Sequence, residues 1–366
     1  MRLAYICGTT GWGGLEMNQL KNALWMQDRG HAVWVFCLPE TPTDKAANEM
    51  NLPVVHLSPF RKYYDWLAAW RLSRKLLKLN IEFLMTRAYT DMSLVAGATF
   101  FGRKKFKSVF FMEMALGAPK KQLLRTFRYR QFAAWSCPLE SLKNQVEDWT
   151  NYPKDRLKVI PSGMDLSLVV NEEKHKSRTR LGLPKEGFIF GLIGRLDRQK
   201  GQKEALIAFQ HLADESTHLV FVGESTPNDA SNYEIELKDF IEKNNLTSCV
   251  HFLPFQKRPF EVFNAFDVTL MASYSETFGM VTIESMAQGV PVIGSDKGGT
   301  PELLKNGEIG YLFSSQNAFD LAEKMRQAKV EFPRFTKEQL QRSVEKFDFH
   351  TVCIQVEQLL TSLSNQ

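Results

Sequence analysis

Glu276 and Glu284 lie with seven residues between them in the stretch YSETFGMVTIESMAQGVPVIGSDKGG, residues 274–299. Two carboxylates can share general acid–base work, or each can accept hydrogen bonds from a vicinal diol. Phe278-Gly279-Met280 follows the first of them, and the pattern predicts a loop, a helix and then the apolar strand 290–293. Glu276 falls in the loop and Glu284 about one and a half turns into the helix. Gly279 lets the backbone come close to a ligand, and the N–H groups at the helix start suit an anion or a sugar hydroxyl. Arg195 and Lys200 lie in GRLDRQKG, residues 194–201, straddling a tight polar loop after an apolar run. Two cations at that spacing reach one diphosphate. Taken singly, each of these four side chains also fits an ordinary solvated position. Together they ask for one extended ligand, a diphosphate with a ribose held by Glu284 at one end and a hydroxylated group held by Glu276 at the other. A nucleotide-sugar meets that description, and it makes the carboxylates two grips on one ligand rather than an acid–base pair.

Such groups need strand ends to hold them. Residues 2–7 read as an apolar strand, GTTGWGGLE as a glycine loop, 15–28 as a helix and 32–38 as a second strand. Strand, loop, helix, strand opens a doubly wound α/β domain. The loop is not a G-x-G-x-x-G, so it serves equally as a plain βα turn or as a ligand loop. Residues 60–79 read as an amphipathic helix with basic and aromatic residues mixed, and 108–112 as a strand that ends at Glu113. A strand at 157–160 leads to Pro161-Ser162-Gly163-Met164-Asp165, and the polar segment 170–180 reads as a linker. A second α/β pattern follows, with strands at 188–193, 219–222, 250–253 and 268–271, the last delivering the chain to Glu276. The tail, 335–363, reads as mostly helical.

The chain has 366 residues, 44% hydrophobic and 24% charged, a composition of globular domains rather than of a disordered or fibrous chain. Its five cysteines are scattered and form no C-x-x-C pair, which points to a reducing cytoplasm. No apolar run has the length of a signal peptide or a membrane span. The net charge of +5 divides unevenly: residues 1–165 carry +10 and residues 166–366 carry −5. All seven tryptophans precede residue 150. Residues 101–130 hold nine Lys/Arg, among them Arg103, Lys104, Lys105, Lys107, Lys120 and Lys121, against the single acid Glu113. Anionic lipid head groups, a phosphorylated or acidic acceptor, nucleic acid, or water alone would each suit that run.

The chain resembles the retaining glycosyltransferases of family 4, which have the GT-B fold. Gly13-Gly14, the PSGMD segment, Gly194-Arg195 with Lys200-Gly201, and above all SETFGMVTIESMAQGVPVIGSDKGGTPEL, residues 275–303, carry the resemblance. It covers nearly the whole chain and is stronger after residue 155. It implies two Rossmann-like doubly wound domains facing across a cleft: 1–168 for the acceptor, 169–345 for the nucleotide-sugar, with 346–366 returning to the first. It implies that Arg195 and Lys200 bind the donor diphosphate and Glu284 the ribose. Glu276, with the backbone of Phe278, Gly279 and Met280, holds the transferred sugar. Gly13 and Gly14 let the first domain approach the phosphates. The base lies near the loops after Val222, beside Gly223, and after Phe252. Where the family often has glycine this chain has Pro254, which removes one backbone N–H. No cofactor and no divalent metal is implied, in keeping with the lack of a D-x-D sequence.

Many relatives carry a histidine at a strand end of the first domain, whereas this chain has none between His56 and His175. Glu113 takes that place as the candidate catalytic partner of Glu276. The implied activity is transfer of a sugar, from a UDP-sugar by preference, to a glycan or lipid-linked acceptor in bacterial polysaccharide or lipopolysaccharide synthesis. The expected location is the cytoplasm, at the inner face of an anionic membrane, with no nucleic-acid partner. A non-catalytic nucleotide-sugar sensor, a basic adaptor and a sugar-nucleotide epimerase are the alternatives.

Overall fold

Seven parallel strands make the first sheet, in the order β3-β2-β1-β4-β5-β6-β7, in a computed structural model that describes residues 1–103, 105–212, 214, 216–225, 232–256 and 258–365. In chain order these are β1 (Arg2–Cys7), α1 (Gly14–Asp28), β2 (Ala32–Cys37), α2 (Pro42–Glu49), β3 (Val54–His56), α3 (Trp66–Lys78) and β4 (Phe83–Thr86). They continue with α4 (Met92–Phe101), β5 (Lys107–Phe111), α5 (Leu123–Tyr129), β6 (Phe132–Cys137), α6 (Glu140–Trp149) and β7 (Leu157–Val159). Strands such as β1 and β4 are buried along almost their whole length, as continuous apolar runs in a helix-covered parallel sheet must be.

The second unit comprises α7 (Lys174–Arg180), β8 (Phe188–Ile193), α8 (Gln202–Gln210), β9 (Thr217–Val222), α9 (Tyr233–Lys243), β10 (Val250–Leu253) and α10 (Pro259–Phe263). β11 (Val268–Met271), α11 (Met280–Ala287), β12 (Val292–Ser295), α12 (Thr300–Leu303), β13 (Tyr311–Phe313), α13 (Ala318–Val330) and α14 (Lys337–Val344) complete it. Its six strands run in the order β10-β9-β8-β11-β12-β13.

The chain divides at Gly163/Met164, and α15 (Phe349–Ser364) belongs to the first unit. α15 earns that place by its pattern: Val352, Val356, Leu360 and Leu363 fall on one helical face, and all are buried in the first unit's core. Its charged side is tied as well, since Glu357 accepts from Arg29 at 2.7 Å and meets His31 at 2.8 Å. All five cysteines are buried free thiols. Among the described residues no helix is long and apolar enough to cross a membrane.

Two expectations differ from what is seen. The helix expected at 60–79 begins only at Trp66, because the Asp65 carboxylate caps it by accepting the Ala68 N–H at 3.0 Å. The segment 170–180, expected as a linker, contains α7 and is anchored. Arg178 is buried, donating to Asp267 at 2.7 Å and to the carbonyls of Ala265, Lys185 and Gly187 at 2.9–3.0 Å. A charge-rich run reads as solvated, and one arginine with a buried carboxylate partner reverses that reading.

Candidate functional site

The second sheet reverses direction between β8 and β11, which are neighbours although β9, β10 and three helices separate them in sequence. Loops leaving two adjacent strand ends at such a switch point open a crevice, where open α/β sheets bind ligands. The loop after β8 carries Arg195 and Lys200; the loop after β11 carries Glu276. The two are laced together. Lys200 Nζ lies 2.7 Å from Glu276 Oε2, and the Tyr274 N–H donates to the Gln199 carbonyl at 2.9 Å. Ser273 Oγ donates to Glu276 at 3.2 Å, while Ser295 Oγ holds the Ser273 carbonyl at 2.6 Å.

Close backbone approach fixes Glu276 from the other side. The Gly299 N–H donates to the Glu276 carbonyl at 2.7 Å, and a Cβ on Gly298, whose φ is +68°, would stand 2.0 Å from that same oxygen. Only glycine fits there.

The remaining residues take distinct places. Arg195 is exposed, with Nη2 3.4 Å from Asp197, while its carbonyl accepts from Gln202 at 2.8 Å. Gly279, at φ +92°, caps α11, so that Met280 begins the helix and the half-buried Glu284 follows just over a turn later. Phe278 is buried and meets Phe347 edge-on at 5.6 Å. Gly223 is demanded by packing, because a Cβ there would stand 2.2 Å from the Gly194 carbonyl oxygen; the glycine by itself therefore says nothing about a base. Residues 226–231, part of the loop after Val222, lie outside the described residues. Sequence reasoning passed over Ser273, Gln199 and Tyr274, which hold the crevice together through bonds no spacing reveals.

The first sheet reverses between β1 and β4. The glycine loop after β1 is pinned there by Asp91, whose wholly buried carboxylate accepts the Gly8 N–H at 2.9 Å. Thr9 Oγ1 donates to Glu16 at 2.7 Å. At the start of α1, a Cβ on Gly14 would meet nothing within 4 Å, and one on Gly13 would meet only Glu16 at 3.7 Å. The fold does not require glycine at either position.

Burial pushes the Asp91 carboxyl up to about 7, with the Gly8 N–H pulling the other way. The stability linked to this proton is complete below the unfolded value near 4, and it is lost as pH rises through about 7. Asp91→Asn should therefore flatten the dependence of the melting temperature on pH between about 4 and 8. Thermal unfolding across that range checks it, and an unchanged slope would sink the assignment.

Glu113, two residues past β5, is not a counter-ion to the basic run around it. It pairs with Arg87, the residue just after β4, and both side chains are only 8% exposed. Ser162 Oγ lies 3.4 Å from both carboxylate oxygens and Asn18 Nδ2 lies 3.5 Å from one. The Arg87 guanidinium stands 5.1 Å over the Phe111 ring. Sequence reasoning missed Arg87 and Asn18, although an arginine directly after an apolar strand was a signal.

The basic residues do not share one fate. Arg103, Lys105 and Lys121 are exposed, Lys120 is half-buried, and Lys104 lies outside the described residues. Lys107 is no open surface cation, because its ammonium bonds the Leu363 carbonyl at the end of α15.

Sequence profiles of two families match the chain. "Glycosyltransferase Family 4" matches residues 12–168 and "Glycosyl transferases group 1" matches residues 173–331. A D-inositol 3-phosphate glycosyltransferase of Corynebacterium jeikeium is 32% identical over 179 residues, 46% of this chain and 42% of that protein. The chain thus aligns with less than half the length of the curated relatives it matches. Anabaena HepE, solved in complex with UDP, superposes with a TM-score of 0.87 at 20% identity, covering 99% of this chain and all of that one. The lipopolysaccharide outer core galactosyltransferase WaaB gives 0.78 at 16% identity, over 99% of both chains. At such identities the structural likeness speaks for the fold.

Proposed function

Because the chain belongs to the glycosyltransferases that carry these two domains on the GT-B fold, we propose that it moves a sugar from a nucleoside-diphosphate sugar, UDP-linked by preference, to an acceptor hydroxyl with retention at the anomeric carbon. The observation that carries this reading is the Lys200–Glu276 contact at the switch point of the second sheet, which sets a cation for diphosphate beside a carboxylate for sugar hydroxyls. HepE has also been solved with UDP-glucose, which favours uridine as the base. In the proposed reaction the bond from the anomeric carbon to the β-phosphate oxygen breaks, and its electron pair leaves with UDP. The acceptor oxygen bonds that carbon on the same face and its proton passes to the departing phosphate. Lys200 and Arg195 offset the charge that grows on the diphosphate, with no metal required for that role. Glu284 holds the ribose, Glu276 the sugar, and the backbone at Phe278–Met280 its remaining hydroxyls. Gly13 and Gly14 leave room for a phosphate at the start of α1. Glu113, oriented by Arg87, Ser162 and Asn18, positions the acceptor.

The acceptor we propose is a lipid-linked or phosphorylated glycan of a bacterial surface polysaccharide or lipopolysaccharide, met at an anionic membrane from the cytoplasmic side. The exposed Arg103, Lys105 and Lys121 support it.

Incubation with a panel of nucleotide-sugars tests the activity. Slow release of free UDP, faster with a membrane-glycan extract, is expected; tight binding without turnover in either condition would overturn the reading. Lys200→Ala should weaken UDP by about 10- to 100-fold and uridine hardly at all, as measured by calorimetry. Equal loss for both ligands would contradict the phosphate role.

A further inference from the structure

The first unit carries an exposed aromatic circuit on the turn leading into α3 and on α3, α4 and α5. Six rings follow one another at centroid distances of 5.7–6.4 Å: Tyr63, Tyr64, Trp66, Phe101, Phe100 and Phe127. Arg128 stands 6.0 Å over Tyr63 and closes the circuit. All but Phe101 are exposed, and at the start of α5 Leu123 and Leu124 stand 87% and 65% exposed. A contiguous apolar face of this kind on a folded unit marks an interaction surface.

Its chemistry narrows the occupant. Cations surround the rings, with Arg61, Lys62, Arg103, Lys105 and Lys121 exposed and Arg128 half-buried. Acids are few: between residues 92 and 139 the one acid is Glu113, buried against Arg87, and Asp65 is occupied in capping α3. Aromatic and leucine side chains ringed by Lys/Arg suit the boundary between anionic head groups and acyl chains. A second copy docked on this face would set like charges against like. Beside the circuit, the exposed Trp70 borders a cavity of about 280 Å³ with apolar sides, Leu57, Leu72 and Leu94, and three cations, Arg71, Arg74 and Lys75. Such a recess suits a lipid phosphate with part of its chain.

We infer that this face inserts into the lipid bilayer, with Leu123 and Leu124 at its tip, rather than being held at the head groups by charge alone. The inference rests on the proposed membrane-held acceptor. The full chain is sedimented with phosphatidylcholine–phosphatidylglycerol vesicles at low salt and at about 1 M salt, where charge is screened beyond about 3 Å. Quenching of tryptophan fluorescence by lipids brominated on the acyl chain is read alongside. Binding that persists in part at high salt, together with quenching, is expected.

The double variant Leu123→Ser/Leu124→Ser should lose the salt-resistant binding by more than about tenfold. Its release of UDP from free nucleotide-sugar should be unchanged, which shows that it folds. Wild-type binding that vanishes at high salt without quenching would overturn insertion and leave the membrane reading standing. Salt-resistant binding indifferent to the two leucines would overturn the assignment to this face. No binding at any salt would overturn both. A leucine-dependent dimer that ignores vesicles would assign the face to a second copy instead.

Discussion

Glu276→Ala should lower the rate of sugar transfer by about 10²–10³-fold while leaving UDP binding intact or tighter. The asymmetry follows from the contact between Lys200 and Glu276 at 2.7 Å. In the proposed site the carboxylate meets the sugar and the ammonium meets the diphosphate, so losing the carboxylate removes a grip on the transferred group alone. It also frees an ammonium that otherwise divides its charge between Glu276 and the phosphate, and a phosphate is the better partner for it. Steady-state rates with a UDP-sugar, beside calorimetry with UDP, separate the two effects. Parallel loss of UDP affinity and of rate would place Glu276 on the nucleotide and overturn the division of labour. Glu276→Gln is the conservative control, since it keeps an oxygen able to accept from Ser273 but removes the charge facing Lys200.

Arg87→Ala should destabilise the first unit by about 3–5 kcal/mol, because it strands the Glu113 carboxylate in a site where both partners are 8% exposed. For a unit of this size that corresponds to a fall in melting temperature of about 10 °C. Adding Glu113→Gln to the Arg87→Ala background should recover a large part of the loss, since a neutral amide needs no counter-ion. Thermal unfolding of the two single variants and the double variant measures the coupling directly. A negligible coupling between the two positions would show the pair to be dispensable to the fold. The same cycle read through activity tells a positioning role apart: Glu113→Gln alone should raise the KM for the acceptor more than it alters release of UDP from the donor.

Much of the second unit was legible in the chain. Alternation of apolar runs with helical stretches gave strands near 188, 219, 250 and 268, and each lies where a strand is observed. Arg195, Lys200 and Glu276 stand out because charged groups in the loops past strand ends, close to glycines, have few purely local reasons to be there, and Glu284 stands out by its spacing from Glu276. The segment 170–180 reads as a linker because local composition cannot distinguish a solvated arginine from one whose carboxylate partner, Asp267, lies far along the chain. Glu113 was noticed for its position, but its partner Arg87 was not, since nothing in the spacing of the two links them.

The sequence by itself determined the two α/β patterns, the glycine loops, the residue types of the proposed donor site and the basic, aromatic character of the first half. These follow from periodicity and composition, which act over a few residues. Tertiary structure alone decided which of those residues meet. Strand order at the two switch points brought Lys200 to Glu276 and Gly8 to Asp91, and the pairing of β4 with β5 brought Arg87 to Glu113. Packing also gathered rings from α3 and the turn before it, α4 and α5 onto one exposed face. Those encounters depend on how separate strands and helices pack, and packing is a property of the whole chain that no local window contains.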